Sequence, residues 1–527
     1  MSRANPLRGR TLAAAADLSV DEQRYLYGKT RELKEVWQRG GDLTPFRISD
    51  PELSVYLMFL EDSTRTKESF LNAAKFHNIT TNVFDASSSS FKKSESLVDT
   101  VKMLFGYGRR SIFVMRTKME GVCLALEEQL GEYAERLGRE KPVFINAGDG
   151  RHEHPTQEFL DEFTFLEQQN WDDSQIHVAL IGDLFHGRTV HSKADGLKVF
   201  RSVKVDLVAP EELALPASYK NRMEENGFEV REWPGIAEYL ESGDVSNCWY
   251  FTRLQLERMG DEIRERETEL RRAVTFRQRW LEALPRNTRF YHPLPRHREK
   301  PVIPSFLDTM PLNGWDGQSI NGYFTRIIEL AIVAGRLGAD FEGSSPLPEP
   351  REESFITEVP VTRKTRVEDR FKVGIKPVDD GTVIDHIAKG RTPEEIWDRI
   401  YKIRRILKLN VRGSHGVFHT ADPRDFKGIM SLPDILEISH TELKKLAAVS
   451  PGCTVNLIEN RSVKAKYRLA MPPKIYNFAE ISCKNSECIT WPGAFQHVPP
   501  HFYRSVGETF TCRYCGRRHE YGDIWDL

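Results

Sequence analysis

Apolar positions in the first two-thirds of the chain fall in short runs separated by amphipathic stretches. Runs at 55–60, 111–115, 143–146, 177–181, 204–208, 248–252 and 289–292 have the length and the β-branched or aromatic content of strands. Between them the period changes. Over 94–105, Leu97, Val101, Leu104 and Phe105 share one helical face, and Phe70, Leu71, Ala74 and Phe76 mark a second amphipathic helix over 67–77. Strands alternating with helices predict mostly parallel sheets covered on both sides. A stretch of this length exceeds what one core organises, so two doubly wound α/β domains are expected, residues 1–155 with 320–338 and residues 156–319. The pattern then breaks. Gly343-Ser344-Ser345-Pro346-Leu347-Pro348-Glu349-Pro350 opens a linker assigned to 339–368. Beyond it come a strand at 383–387, a charged helix at 393–406, a helix near 441–449 and a strand at 454–458, an α+β pattern assigned to 369–473. Residues 474–527 form a last, cysteine-bearing module.

Composition narrows the function classes. The 75 basic and 77 acidic residues nearly cancel, which argues against a protein that coats nucleic acid or a membrane surface. No run approaches the roughly 20 apolar residues of a membrane span. Met1-Ser2-Arg3-Ala4-Asn5-Pro6-Leu7 lacks the apolar core of a secretory signal, so a cytoplasmic location is expected. Three of the seven cysteines, Cys123, Cys248 and Cys453, stand alone. The other four, Cys483, Cys488, Cys512 and Cys515, form two close pairs joined by a loop, the spacing of a tetrahedral thiolate zinc site. All four ligands come from protein, which points to a structural ion. Four unrelated buried cysteines are the bland alternative. A DNA-binding finger is disfavoured, because paired histidines and a basic recognition helix are missing.

The first strand runs into Glu61-Asp62-Ser63-Thr64-Arg65-Thr66, placing three hydroxyls and a guanidinium at a helix N-terminus. Free N–H groups and the positive dipole end favour an anion there, and Arg65 adds a fork that matches phosphate oxygens. A plain helix cap is the competing reading.

Ser63-Thr64-Arg65-Thr66 resembles the carbamoyl-phosphate signature of the aspartate and ornithine carbamoyltransferases. Further segments follow in that family's order: the loop 91–94, Val114-Met115-Arg116, Asn146-Ala147-Gly148-Asp149-Gly150, His154-Pro155-Thr156-Gln157, Gly187-Arg188-Thr189, Thr252-Arg253-Leu254-Gln255 and His292-Pro293-Leu294-Pro295-Arg296. The resemblance spans residues 4–338. It implies that Ser63, Thr64, Arg65, Thr66, Ser89, Lys93 and Arg116 hold the phosphate of carbamoyl phosphate. Thr66, Arg116 and His154 approach the carbonyl oxygen. Gln157 and the carbonyls of Leu294 and Pro295 take the carbamoyl nitrogen, with the Leu294–Pro295 bond cis. Arg188, Arg253 and Gln255, with Lys93, bind L-aspartate. His154 is either a general base or a neutral donor. Ornithine-specific relatives carry a cysteine where this chain has Pro293, so aspartate is the expected substrate. Phe91, Ser94 and His186 depart from the family pattern.

The resemblance also implies a homotrimer, with Ser89 and Lys93 reaching a neighbouring chain's site, and a possible larger assembly. The second half resembles the regulatory chain of aspartate carbamoyltransferase. Asp385 and Lys466 match nucleotide-effector positions, and no second effector lysine aligns over 427–432. A fused aspartate carbamoyltransferase making N-carbamoyl-L-aspartate for pyrimidine synthesis is therefore expected. The alternatives are a carbamoyltransferase for another amino acid and a non-catalytic relative.

Overall fold

The apolar run Leu53–Phe59 (β1) is the centre of the first sheet. It pairs in parallel with Thr80–Phe84 (β2) on one side and with Arg110–Thr117 (β3) on the other. Val143–Asp149 (β4) lies beyond β3, giving the order β2-β1-β3-β4. Every residue of β4 is buried, Asn146 and Asp149 included, and its first three residues give the apolar run seen in the sequence. A second parallel sheet follows: Ile176–Ile181 (β5), Val203–Val208 (β6), Glu229–Trp233 (β7), Cys248–Phe251 (β8) and Arg289–Tyr291 (β9), ordered β7-β6-β5-β8-β9. The helix Trp315–Val333 is buried on most sides and packs on the helices Thr64–His77 and Pro155–Gln168, so the chain returns to the first sheet after completing the second.

The computed structural model describes residues 5–84, 95–255, 265–345, 354–361, 378–409, 413–420, 422–433, 435–505 and 507–526. They divide into two compact units. The first comprises residues 1–346 with 485–498 and 514–516; the second comprises 347–484, 499–513 and 517–527.

The second unit is built on an antiparallel sheet. Its strands are Ile356–Glu358 (β10), Gly381–Ile387 (β11), Ser414–His419 (β12), Phe426–Pro433 (β13), Thr454–Glu459 (β14) and Ser462–Leu469 (β15), ordered β10-β15-β14-β11-β13-β12. The helix Pro393–Ile406 buries Ile396, Ile400 and Ile403, spaced four and three residues apart on one face. Thr392 starts that helix with a capping box: its hydroxyl accepts from the Glu395 N–H, and the Glu395 carboxylate accepts from the Thr392 N–H. A smaller antiparallel sheet joins Lys474–Tyr476 (β16), His501–Arg504 (β17), Thr509–Cys512 (β18) and Arg518–Glu520 (β19) in chain order. The fold is therefore two parallel-sheet α/β domains followed by an α+β domain and a small cysteine-bearing sheet.

Two features differ from the sequence expectation. β2 and β7 are edge strands, half open to solvent, and their sequences Thr-Thr-Asn-Val-Phe and Glu-Val-Arg-Glu-Trp carry no apolar run. β10 lies inside the stretch expected as linker. It forms by main-chain pairing along the open edge of β15, which leaves no compositional trace. Among the described residues no helix is long and apolar enough to cross a membrane.

Candidate active site

Each parallel sheet of the first unit reverses its winding at one point, between β1 and β3 and between β5 and β8. Ligands of α/β sheets bind at the carboxyl ends of strands at such points. Glu61–Thr66 follow β1, Arg116 ends β3, and His154 with Gln157 follows β4. Arg188 follows β5, and Thr252–Gln255 follow β8. These strand ends open on one cavity of about 630 Å³. Ser63, Thr64, Arg65, Thr66, Arg116, His154, Gln157, Arg188, Arg253, Gln255, Leu294 and Pro295 all line it. Ser89 and Lys93 lie outside the described residues.

Local geometry explains several of these placements. Ser63 is the residue before the helix Thr64–His77, yet its side chain makes no capping bond. The plain-cap reading of the motif therefore fails at Ser63. Arg116 donates to the carbonyl of Ala147 (3.0 Å), and its other amino group lies 3.5 Å from Glu61. Arg188 donates to the carbonyl of Gly150 (3.0 Å) and to the same Glu61 carboxylate (2.9 Å). Gly148 makes room for both: it sits at φ 111°, and a Cβ there would come within 3.0 Å of each guanidinium. Gly182, at φ 118°, lets β5 end against Thr252, since a Cβ there would come within 2.5 Å of the Thr252 carbonyl oxygen. One carboxylate between two guanidiniums is an arrangement that an anionic ligand can enter by exchange.

His154 is buried, its Nε2 lies 3.5 Å from the Arg116 guanidinium, and its main-chain N–H donates to Ser192 Oγ (3.0 Å). Burial, and then the positive charges of Arg116, Arg188 and Arg326, hold its imidazole well below the usual histidine range. It is therefore neutral near pH 7. Gln157 donates through Nε2 to Asp161 (2.8 Å). The Gln255 N–H donates to Asp183 (3.1 Å) and its side-chain amide to the His186 carbonyl (3.2 Å), so this loop is tied to the end of β5. Leu294–Pro295 is a cis peptide.

Sequence reasoning did not single out Glu61, Gln318 or Arg326, which also line the cavity. Glu61 had a signal, since it directly precedes the hydroxyl motif. Gln318 and Arg326 belong to a largely buried helix, where polar residues need partners.

The four clustered cysteines are buried, with their sulfurs all within 4.8 Å of one another. A tetrahedral ion with metal–sulfur bonds of about 2.3 Å puts sulfurs roughly 3.8 Å apart, so this donor set fits a closed thiolate site. In the second unit, Asp385 stands on β11 opposite Thr454 of β14, and Lys466 on β15 pairs in register with Asn456. Lys427, on β13, binds the Asp385 carboxylate at 2.7 Å. This pairing brings Lys427 beside Asp385 across β11 and β13, a register that linear spacing does not reveal.

Residues 10–167 match the sequence profile of the aspartate/ornithine carbamoyltransferase carbamoyl-phosphate-binding domain. Residues 373–470 and 473–525 match the allosteric and metal-binding domains of the aspartate carbamoyltransferase regulatory chain. The chain is 55% identical to protein PyrBI of Thermotoga maritima, over 98% of this chain and 99% of that one. It is 50% identical to protein PyrBI of Treponema denticola, over 99% of each. Among solved structures it resembles aspartate transcarbamoylase from Trypanosoma cruzi in complex with N-(phosphonacetyl)-L-aspartic acid, with 27% identity, a TM-score of 0.53, and coverage of 63% of this chain and 97% of that one.

Proposed function

The chain belongs to the PyrBI family and is an aspartate carbamoyltransferase, and we propose that the cavity at the ends of β1, β3, β4, β5 and β8 is where it transfers the carbamoyl group. The observation that carries this reading is the convergence there of hydroxyls, guanidiniums and a neutral imidazole from separate strand ends.

In this reading the α-amine of aspartate attacks the carbamoyl carbon, the C–O bond to phosphate breaks, and N-carbamoyl-L-aspartate and phosphate form. Ser63, Thr64, Arg65, Thr66 and Arg116 hold the phosphate. Thr66, Arg116 and His154 face the carbonyl oxygen as negative charge grows on it. A neutral His154 donates a hydrogen bond there, and the departing phosphate takes the amine proton. Gln157 and the carbonyls of Leu294 and Pro295 accept from the carbamoyl nitrogen. Arg188 and Arg253, with Gln255, take the two aspartate carboxylates. Arg188 exchanges Glu61 for substrate, which couples aspartate entry to the loop after β1. The Trypanosoma cruzi enzyme is described with carbamoyl phosphate and aspartate bound, which supports this substrate pair.

Ser89 and Lys93 complete the phosphate and aspartate sites from a neighbouring chain in a trimer of a cytoplasmic enzyme. Cys483, Cys488, Cys512 and Cys515 would hold zinc, to which four thiolates would give a cross-linking rather than a catalytic role. Asp385, Lys427 and Lys466 form a nucleotide effector site. Calorimetry with ATP, CTP and UTP tests this; equal absence of binding in wild type and in Lys427→Ala rejects it.

The decisive assay pairs carbamoyl phosphate with aspartate and, separately, with ornithine. Turnover with aspartate alone is expected. Turnover with ornithine in its place overturns the assignment of Arg188 and Arg253.

A further inference from the structure

Asp161 lies wholly buried one turn along the helix Pro155–Gln168 from Gln157. A single oxygen of its carboxylate, Oδ1, accepts two side-chain amides: Gln157 Nε2 at 2.8 Å and Gln318 Nε2 at 2.6 Å. A carboxylate only accepts, so both glutamines must turn their NH2 groups toward it. The orientation of the opposite atoms follows. Gln157 is left with its oxygen as the free end in the cavity lining. Gln318 is left with its oxygen toward the His292 N–H, which donates to it at 2.9 Å. His292 in turn accepts on Nδ1 from the Leu294 N–H at 2.7 Å. One carboxylate oxygen thus sets a glutamine in the cavity and, through Gln318 and His292, the loop carrying the Leu294 and Pro295 carbonyls.

We propose that Asp161 is the positioning residue for recognition of the carbamoyl nitrogen, holding both sets of acceptors toward that NH2 group and so selecting a carbamoyl over an acetyl donor. The proposal rests on the assignment of Gln157, Leu294 and Pro295 given above. A purely structural role as the counter-ion of Lys193 is the competing account, and the distances weigh against it. Lys193 binds Glu158 at 2.8 Å and Glu162 at 3.2 Å, and reaches Asp161 Oδ2 only at 3.3 Å. Burial pulls the Lys193 ammonium down, but the three carboxylates outweigh it and push it up, so it stays charged. Two carboxylates remain on Lys193 when Asp161 is neutralised. Asp161's closest contacts are with the two amides instead.

Lys193 also dictates what Asp161→Asn does. An asparagine turns its oxygen to the ammonium and its NH2 to the glutamines. Both glutamines must then flip. Gln157 presents NH2 where it presented oxygen, and Gln318 sets NH2 against the His292 N–H. The site loses its acceptors for an NH2 group while the phosphate residues stay in place.

The test uses the full-length enzyme and two stable analogues that compete with carbamoyl phosphate and differ only at one end, phosphonoacetamide (NH2) and phosphonoacetone (CH3), with inorganic phosphate as the third probe. Wild type is expected to prefer the amide by at least about tenfold in inhibition constant, since a site built around hydrogen bonds rejects the analogue that lacks them. In Asp161→Asn the two constants should come within about twofold of each other, with that for inorganic phosphate shifted by less than about twofold. A preserved amide preference in Asp161→Asn overturns the proposal. A wild type that does not distinguish the analogues overturns the assignment of Gln157, Leu294 and Pro295 beneath it, a separate and recognisable result. If Asp161→Asn does not fold, Gln318→Leu keeps the Asp161–Lys193 pair and cuts only the loop arm. A severalfold fall in amide preference then supports the proposal, and an unchanged preference rejects it.

Discussion

Arg253 and Arg65 follow strands of different sheets, and if they hold different substrates as proposed, their substitution should separate the two. Arg253→Ala removes a charge-assisted contact with an aspartate carboxylate, a loss of roughly 2–4 kcal/mol or about 30- to 900-fold in kcat/KM for aspartate, while inhibition by inorganic phosphate stays near wild type. Arg65→Ala should do the reverse and abolish phosphate inhibition. Steady-state kinetics with each substrate varied checks both; equal effects of the two substitutions on both substrates would refute the division. A residue far from chemistry governs acid sensitivity. His77 accepts from the Ile48 N–H on Nδ1 (3.2 Å) and donates from Nε2 to the Ile327 carbonyl (2.9 Å), so both nitrogens are committed in the neutral form. Burial holds it down to about 4, opposed by the Ile327 bond. The unfolded chain binds this proton below about pH 6.5 and the folded one does not, so the contribution is whole above 6.5 and is lost as pH falls toward 4. The loss is of order 3 kcal/mol for this group alone, with His191, also held at about 4, adding to it. His77→Gln can keep both bonds without titrating. Its urea midpoint should fall less than that of wild type between pH 7 and pH 5.

At the scale of elements, the helix Pro393–Ile406 owes its start to Thr392. Thr392→Ala should cost about 1 kcal/mol and lower the unfolding temperature of the second unit without changing transfer activity. Calorimetric scans check this; an unshifted transition means that Pro393 and the isoleucine face suffice. Elements differ in how far sequence reveals them. The strands β1, β3, β4, β5, β6, β8 and β9 were legible because they are mostly buried and carry short apolar runs, including β4 and β9, which end their sheets but are covered. β2, β7 and β10 were not, because an edge strand is held by main-chain bonds that any side chains permit. The site divides the same way. Ser63 to Thr66, Arg116, His154 and Arg253 sit at or just beyond the carboxyl ends of strands, where residue type follows ligand chemistry. Asp161, Gln318 and Arg326 lie on helix faces, and their partners are distant in the chain, 157 residues for Asp161 with Gln318 and 257 for Arg326 with Ser69, pairings that linear spacing cannot supply.

At the scale of the whole chain, the cysteine module contributes to the first unit as well as to its own sheet. The main chain of Glu120 exchanges hydrogen bonds with Glu487 (2.7 Å) and Ile489 (3.0 Å), and its carboxylate accepts from Asn485 (2.5 Å). Arg151 pairs with Glu487 at 2.9 Å, and the Tyr514 hydroxyl donates to Glu128 at 2.6 Å. Stripping the metal with a mercurial should therefore speed amide hydrogen exchange at Glu120 and Ile489, and not only near the cysteines. Unchanged exchange at Glu120 would mean that this packing survives without the ion. These contacts join residues 336 to 386 positions apart in the chain. A nascent chain emerges from the ribosome at about 5–20 residues per second, so the 170 residues between 346 and 516 take roughly 10–30 seconds to follow. For that interval the catalytic half exists with the buried Glu120 carboxylate uncovered. Burial, with Asp149 and Cys515 adding to it, pushes this carboxyl up to about 7 against His152 and Asn485, so the waiting half is expected to carry a carboxyl that ionises more readily until the last segment encloses it. The first unit is therefore complete only once residues 485–498 and 514–516 have been made, and a message cut short before codon 485 leaves Glu120 without these partners.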